Sequence, residues 1–512
     1  MNIKFLKPIT IVLLVLTFAS CSQDFLVEEP KNQIDLEGFY TKPIDAEIGL
    51  TGAYSRIISK NMMQNLFFFS VSADEITAGT SARSSGIGAG DNRTALTSDP
   101  YGMSGGYTEP LVGIANINLL LKKVKDIPET LFSTNRKNEI MGEAYFLRGF
   151  TYYILAMAYR DVQVQLELPV SSRPEDNFFE KSQQADVLIQ AMSDFEKADS
   201  LMPDKLGNGM SNHDVRGRAS KWAAKAFKAR INMWRGEWPD AYAECDAIIK
   251  SNQFAMAERW INIFDGESDD SEVIWQAQGQ SRQEYDFIGV YRWYCDADAA
   301  QVLPPFMVEK KLQNAFDKPY KDVRLEYSVR AIGKAGTPSE YGGRNVKHFK
   351  VPSGEIIQGQ SDESRDKNTP LMRLAEVKLM LAESIIQSGY TLGTKEEVLN
   401  ILNEIRTRAA DELYVPRETD TRYDYVAAKG CVGINLLTID QVNLQSLKDE
   451  KYRELAFEFV RWIDLLRRGK MEDNYVSVMA MTNASNVDRL YLAIPQSQID
   501  ANKGVLTQNP GY

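Results

Sequence analysis

Two stretches of this chain share an arrangement that leaves few folds open: an apolar stripe of helical period, a glycine, and a second such stripe. In KWAAKAFKARINMWRGEWPDAYAECDAIIK, residues 221–250, Trp222, Ala226, Ala229 and Met233 occupy one helical face before Gly236 breaks the run. Pro239 then restarts it, a residue suited to a helix's first turn. In the second stretch Leu374, Val377, Leu381 and Ile385 precede Gly389. A helix capped by Thr394 and Glu397 follows, with Val398, Ile401, Leu402 and Ile405 facing inward. A further helical face is predicted for Ile140, Ala144, Leu147, Thr151, Ile154, Leu155 and Ala158.

Gly236, Trp238, Ala241 and Cys245 reproduce the glycine, aromatic, alanine and small-apolar spacing at a tetratricopeptide-repeat turn, where antiparallel helices approach closely. Such helices bury their stripes by stacking on neighbours. The expected fold is therefore all-α dominated, a tetratricopeptide-like helical scaffold. Two glycine- and serine-rich insertions, 77–107 and 278–301, are too long for ordinary helix connections and read as long irregular loops. Long loops on a rigid scaffold are where binding residues concentrate.

The N-terminus sets the compartment. In MNIKFLKPITIVLLVLTFASC, Lys4 and Lys7 precede an apolar run from Ile9 to Phe18, and Ala19 and Ser20 abut Cys21. The run is too short to span a bilayer, and no later stretch reaches the roughly 18 apolar residues that spanning requires. Residues 1–20 are read as a lipoprotein signal peptide, 21–35 as a tether lipidated at Cys21, and 36–512 as a single domain. Cys245, Cys295 and Cys431 suit neither a disulfide framework nor a zinc site and are expected to be buried apolar residues.

The formal net charge of −11, with no long basic run, argues against nucleic acid. Catalysis has little to work with: His213 and His348 are the only histidines, and neither an HExxH motif nor a Gly-x-Ser-x-Gly elbow is present. DGESDDSE, residues 265–272, alternates Asp265, Glu267 and Asp269 like a calcium loop. It has Asp270 where that loop needs glycine and Gln276 where it needs glutamate, so a solvated turn is expected and no metal or cofactor is assigned.

ELAFEFVRWIDLLRRG, residues 454–469, poses a sharper question. Glu454 and Glu458, four apart on a helix, would lie roughly 5–6 Å apart, near the roughly 5 Å spacing of retaining glycosidase carboxylates. The surrounding pattern favours scaffolding. Leu455, Ala456, Phe459, Ile463 and Leu466 form an apolar stripe, Ser446 opens the helix with a capping box, and Gly469 closes it. Glu458 is expected to pair with Arg461, and Asp464 with Arg467 or Arg468, which lowers carboxylate pKa values where a general acid needs them raised.

Several segments together resemble the SusD/RagB family: GEAYFLRGFTYYILAMAYRDV, PLMRLAEVKLMLAES, VLNILNEIRTRA, EKYRELAFEFVRWIDLLRRGK and LYLAIPQSQIDANKGVLTQNPGY. They occur in family order across nearly the whole chain. The resemblance implies four tetratricopeptide-like helix pairs beneath irregular loops and a surface-exposed outer-membrane lipoprotein. It further implies non-catalytic capture of an oligosaccharide, or alternatively a peptide, for a SusC-like TonB-dependent transporter. The family's ligand residues lie in variable loops, so none carries over by position. The residues themselves supply candidates, because sugars are held by flat aromatic faces and planar polar groups. These are Asp91, Asn92, Arg93, Tyr101 and Tyr107 in the first insertion and Tyr285, Tyr291, Trp293 and Tyr294 in the second.

Overall fold

The computed structural model describes residues 39–78, 105–168, 178–204, 216–264, 270–278, 306–316, 322–324, 328–330, 344–345, 368–410, 435–482 and 486–512. Its helices, in chain order, begin with α1 (Pro43–Ile57), α2 (Lys60–Ser72), α3 (Gly105–Asp126), α4 (Arg136–Tyr159) and α5 (Gln184–Leu201). Then come α6 (Lys221–Arg235), α7 (Trp238–Lys250), α8 (Lys310–Ala315), α9 (Leu374–Gln387) and α10 (Lys395–Ala409). The C-terminal part holds α11 (Leu444–Glu454), α12 (Arg461–Met471), α13 (Val476–Thr482) and α14 (Gln496–Ala501).

Neighbouring helices stack in the order α1, α3, α4, α5, α6, α7, α9, α10. One apolar core runs through them from Ala46 to Leu506. Helix α4 lies deepest and is buried on every side from Gly142 to Tyr159. Gly149 permits this, since a Cβ there would sit 3.1 Å from the Ala191 carbonyl of α5.

The two helix pairs anticipated from sequence form as expected. Ser220 caps α6 by accepting from the Ala223 amide at 3.2 Å, and Gly236 ends it at φ +79°, a conformation that disfavours a side chain. Ala241 and Cys245 of α7 are fully buried at the helix contact. Thr394 caps α10 by accepting from the Glu397 amide at 3.1 Å.

The region 446–469 differs from expectation, because it is two helices rather than one. Asn443, one turn earlier than Ser446 would require, caps α11 by accepting from the Gln445 and Ser446 amides at 2.8 and 3.0 Å. Ser446 Oγ reciprocates by accepting from the Asn443 amide at 3.0 Å. The chain then leaves the helix between Glu454 and Arg461, with Phe457 and Phe459 at φ +63° and +67°. Bulky residues rarely adopt this region, at roughly 1–3 kcal/mol each. Burial of both rings and the turning of Glu454 and Glu458 toward a single arginine stabilise the break. Gly469 lies inside α12 instead of closing it, and a Cβ there would meet the Tyr475 ring at 2.5 Å.

Three short antiparallel ribbons complete the described architecture: β1 (Ile76–Ala78) with β3 (Phe306–Val308), β2 (Val273–Ala277) with β6 (Thr369–Arg373), and β4 (Val329–Arg330) with β5 (Arg344–Asn345).

Candidate ligand-binding site

Ribbon β1/β3 pairs Ile76 with Val308, Thr77 with Met307 and Ala78 with Phe306. Segment 79–104 departs directly after Ala78, and segment 279–305 arrives directly before Phe306. Antiparallel partners lie about 4.5–5.5 Å apart at Cα. One end of each insertion is therefore fixed at the same ribbon end. At its other end, segment 279–305 begins beside β6, because Ala277 pairs with Thr369.

The base of the β1/β3 ribbon is firmly held. The Glu309 amide donates to the Glu75 carbonyl at 2.9 Å, and Tyr452 donates its hydroxyl to the Asp74 carbonyl. Arg461 grips Asp74 through Nε and Nη2 at 2.7 and 2.9 Å, and Lys311 adds a 2.6 Å contact. Burial alone would raise the Asp74 pKa, but these two cations bring it down to about 2. The carboxylate is thus a fixed anion beneath the ribbon, and Arg461 is engaged here rather than with Glu458.

Of the candidate ligand residues, Asp91, Asn92, Arg93, Tyr101, Tyr285, Tyr291, Trp293 and Tyr294 lie outside the described residues, as does Cys21. Tyr107 is described and is corrected. It sits in the first turn of α3, fully buried, edge-on to Tyr159 at 4.9 Å between ring centroids. Burial raises its phenol pKa, and its hydroxyl has no hydrogen-bond partner. It presents no face to a ligand. The glycines before it serve close approach rather than a loop: Cβ atoms at Gly105 and Gly106 would meet Asn61 and Asn65 Oδ1 at 2.6 and 2.7 Å. Asn65 also donates to the Gly106 carbonyl at 2.7 Å, which seats the start of α3 on α2.

Glu454 and Glu458 belong to a buried ion network rather than an acid/base pair. Arg373, fully buried at the end of β6, donates through Nε and Nη2 to the two oxygens of Glu458 at 2.6 and 2.8 Å. Its Nη1 reaches Glu454 at 2.6 Å and Glu272 at 2.7 Å. Arg408 also contacts Glu272 and Glu454. Arg324 links Glu454 to Glu450 at 2.9 and 2.8 Å and grips Asp322. Arg406 and Arg453 complete the shell of Glu450 at 2.8 and 2.7 Å. Burial would raise the Glu450 pKa, yet Arg324, Arg453 and Arg406 hold it at about 2.

Among the described residues, arginines 324, 373, 406, 408 and 453 thus face Glu272, Glu450, Glu454, Glu458 and Asp322, five charges against five. Every carboxylate in it is bonded to at least one arginine, the arrangement of a structural ion network. Glu272, expected in a solvated turn, is instead fully buried and also accepts from the Ala257 amide at 3.0 Å. Sequence reading missed Arg373, although a lone cation inside the apolar run TPLMRLAEV was the available signal. Among the described residues no cluster of His, Cys, Asp and Glu is arranged to hold a metal.

Comparison with known proteins agrees with this architecture. A family model described as "SusD family" matches residues 265–512, and one described as "Starch-binding associating with outer membrane" matches residues 24–233. The curated relative SusD-like protein P38 of Formosa agariphila is 26% identical, over 95% of this chain and 96% of its own. Among solved structures, surface glycan-binding protein A from Bacteroides fluxus superposes with a TM-score of 0.71 at 16% identity, covering 92% of this chain and 100% of the other. A laminarin-binding SusD-like protein superposes with a TM-score of 0.69 at 20% identity, with the same coverages.

Proposed function

The chain belongs to the SusD/RagB family, and from that premise we propose that it is a lipid-anchored glycan-capture protein of the outer membrane surface. Cys21 carries the anchor. The protein binds oligosaccharide without cleaving it and hands it to a SusC-like TonB-dependent transporter.

One observation carries the reading: the pairing of Ala78 with Phe306 roots both aromatic-rich insertions at one ribbon end. Side chains far apart in sequence can there act on one ligand. In this reading Tyr101, Tyr285, Tyr291, Trp293 and Tyr294 offer faces for pyranose rings, while Asp91, Asn92 and Arg93 pair with hydroxyls. The glycan- and laminarin-binding descriptions of the two superposed proteins support the choice of ligand class. The engagement of Glu450, Glu454 and Glu458 by buried arginines supports binding without turnover.

The test is a glycan-array and peptide-array screen of the detergent-solubilised protein, with chromatography of any ligand after prolonged incubation. We expect an oligosaccharide to bind and to be recovered intact. Binding confined to peptides, or release of shorter products, overturns the proposal.

A further inference from the structure

The buried charges around α12 do not balance as those around Arg373 do. Two carboxylates, Asp464 and Glu383, serve three cations. Lys451 reaches Glu383 at 3.0 Å and Asp464 at 2.6 Å, and Arg467 reaches them at 2.6 and 3.1 Å. Arg468 is left short: its Nη2 comes no nearer to Asp464 than 3.8 Å, and its Nε and Nη2 are enclosed with no acceptor. Desolvation lowers its pKa, which Asp464 and Glu383 only partly oppose, yet a guanidinium stays charged in a protein.

The Arg468 side chain keeps 13% of its surface and lines a cavity of about 770 Å³. Lys311, Lys448 and Arg461 line the same cavity, against the acids Asp449 and Glu472. Arg461 and Lys311 share Asp74 at 2.7 and 2.6 Å, though Lys311 stays largely exposed, and Lys448 leans toward Glu472 at 3.6 Å. The most buried of these cations with no close carboxylate is Arg468, whose one ion pair is long, and it lies beside a space of small-ligand size. Buried charges require a partner.

We propose that this cavity is an oxyanion site, taking the carboxylate or sulfate group of a small ligand against Arg468, with Lys311 flanking it. The described residues that line it come from α8, α11, α12 and α13 and the turn after α12, and none comes from the two insertions. The proposal rests on Arg468 and not on the loop site, so each can fail without the other.

The test is calorimetry on the detergent-solubilised full chain with sodium glucuronate, sodium sulfate and glucose at constant ionic strength. We expect at least one anion to bind more tightly than glucose. Arg468→Gln should weaken that binding about tenfold or more, and the exposed Lys311→Gln about threefold. The anion that binds identifies the source, a sugar acid or a sulfate. Because Arg468→Gln removes a buried cation with only a long ion pair, while Asp464 keeps Lys451 and Arg467, its melting temperature should not fall. Should that variant nevertheless not fold, the anion-over-glucose preference and its weakening by about threefold in Lys311→Gln decide the matter. Equal binding of glucose and both anions, or anion affinity untouched by the variants, overturns the site.

Discussion

Replacing Arg373 with methionine is the sharpest perturbation of the scaffold. The guanidinium is fully buried and bonds Glu458 at 2.6 and 2.8 Å, Glu454 at 2.6 Å, Glu272 at 2.7 Å and the Glu454 carbonyl at 2.8 Å. Methionine fills much of the same volume but leaves three carboxylates one cation short. Removing one partner of a buried ion pair costs about 3–5 kcal/mol. Unfolding entropy of about 2.1 cal/mol/K per residue, over 512 residues, is about 1.1 kcal/mol/K. The melting temperature should therefore fall by about 3–5 °C if the chain unfolds as a unit. Differential scanning calorimetry reads this directly, with Lys250→Gln as reference, since that lysine is 74% exposed in an i,i+4 pair with Asp246. Surface pairs of this kind contribute little, so the reference should match the parent. If Arg373→Met melts no lower than Lys250→Gln, the ion network does not hold the C-terminal helices to β6.

Acid should weaken the same network. Glu450 has its pKa depressed from 4.5 to about 2 in the folded state, so its stabilisation is present above about 4.5 and lost as pH falls toward 2. The unfolding free energy read from denaturant titrations should drop over that window, by ~3 kcal/mol for this group. Glu450→Gln should flatten the decline, and an unchanged acid slope would contradict the assignment. Tyr107→Phe should melt at or above the parent temperature, because the buried hydroxyl has no partner to lose. Tyr107→Ala should be destabilised by about 3–5 kcal/mol through the cavity it opens; a native-like melt of Tyr107→Ala would mean the ring is not core. Cys21→Ala should leave membranes under a high-salt wash, and its retention there would refute the anchor.

The helix pairs were legible because their signals are local. The stripe of α6, the αL glycine at 236 and the Thr394 cap each act within a turn or two. The division of 446–469 was not legible, since it depends on Arg373, more than eighty residues upstream, drawing in Glu454 and Glu458. An i,i+3 and i,i+4 reading assigns partners from the same helix, whereas burial admitted cations from β6, α10 and the chain at Arg324. Tyr107 was misplaced for a related reason. Gly105 and Gly106 look like loop residues in sequence, but in the fold they let α3 close on Asn61 and Asn65. The ribbon that joins the two insertions was also invisible, because its strands are three residues each and lie far apart along the chain.

The central claim is that aromatic side chains on the two insertions grip the ligand. Calorimetry of Trp293→Ala with a saccharide from the screen tests it most directly, after circular dichroism confirms a native spectrum. Truncating a central binding aromatic commonly costs about 2 kcal/mol or more, and about 1.4 kcal/mol is a decade of affinity. We predict that Trp293→Ala binds more than about tenfold weaker than the parent, with Tyr101→Ala weakened less. If both natively folded variants bind as tightly as the parent, the insertions do not form the site.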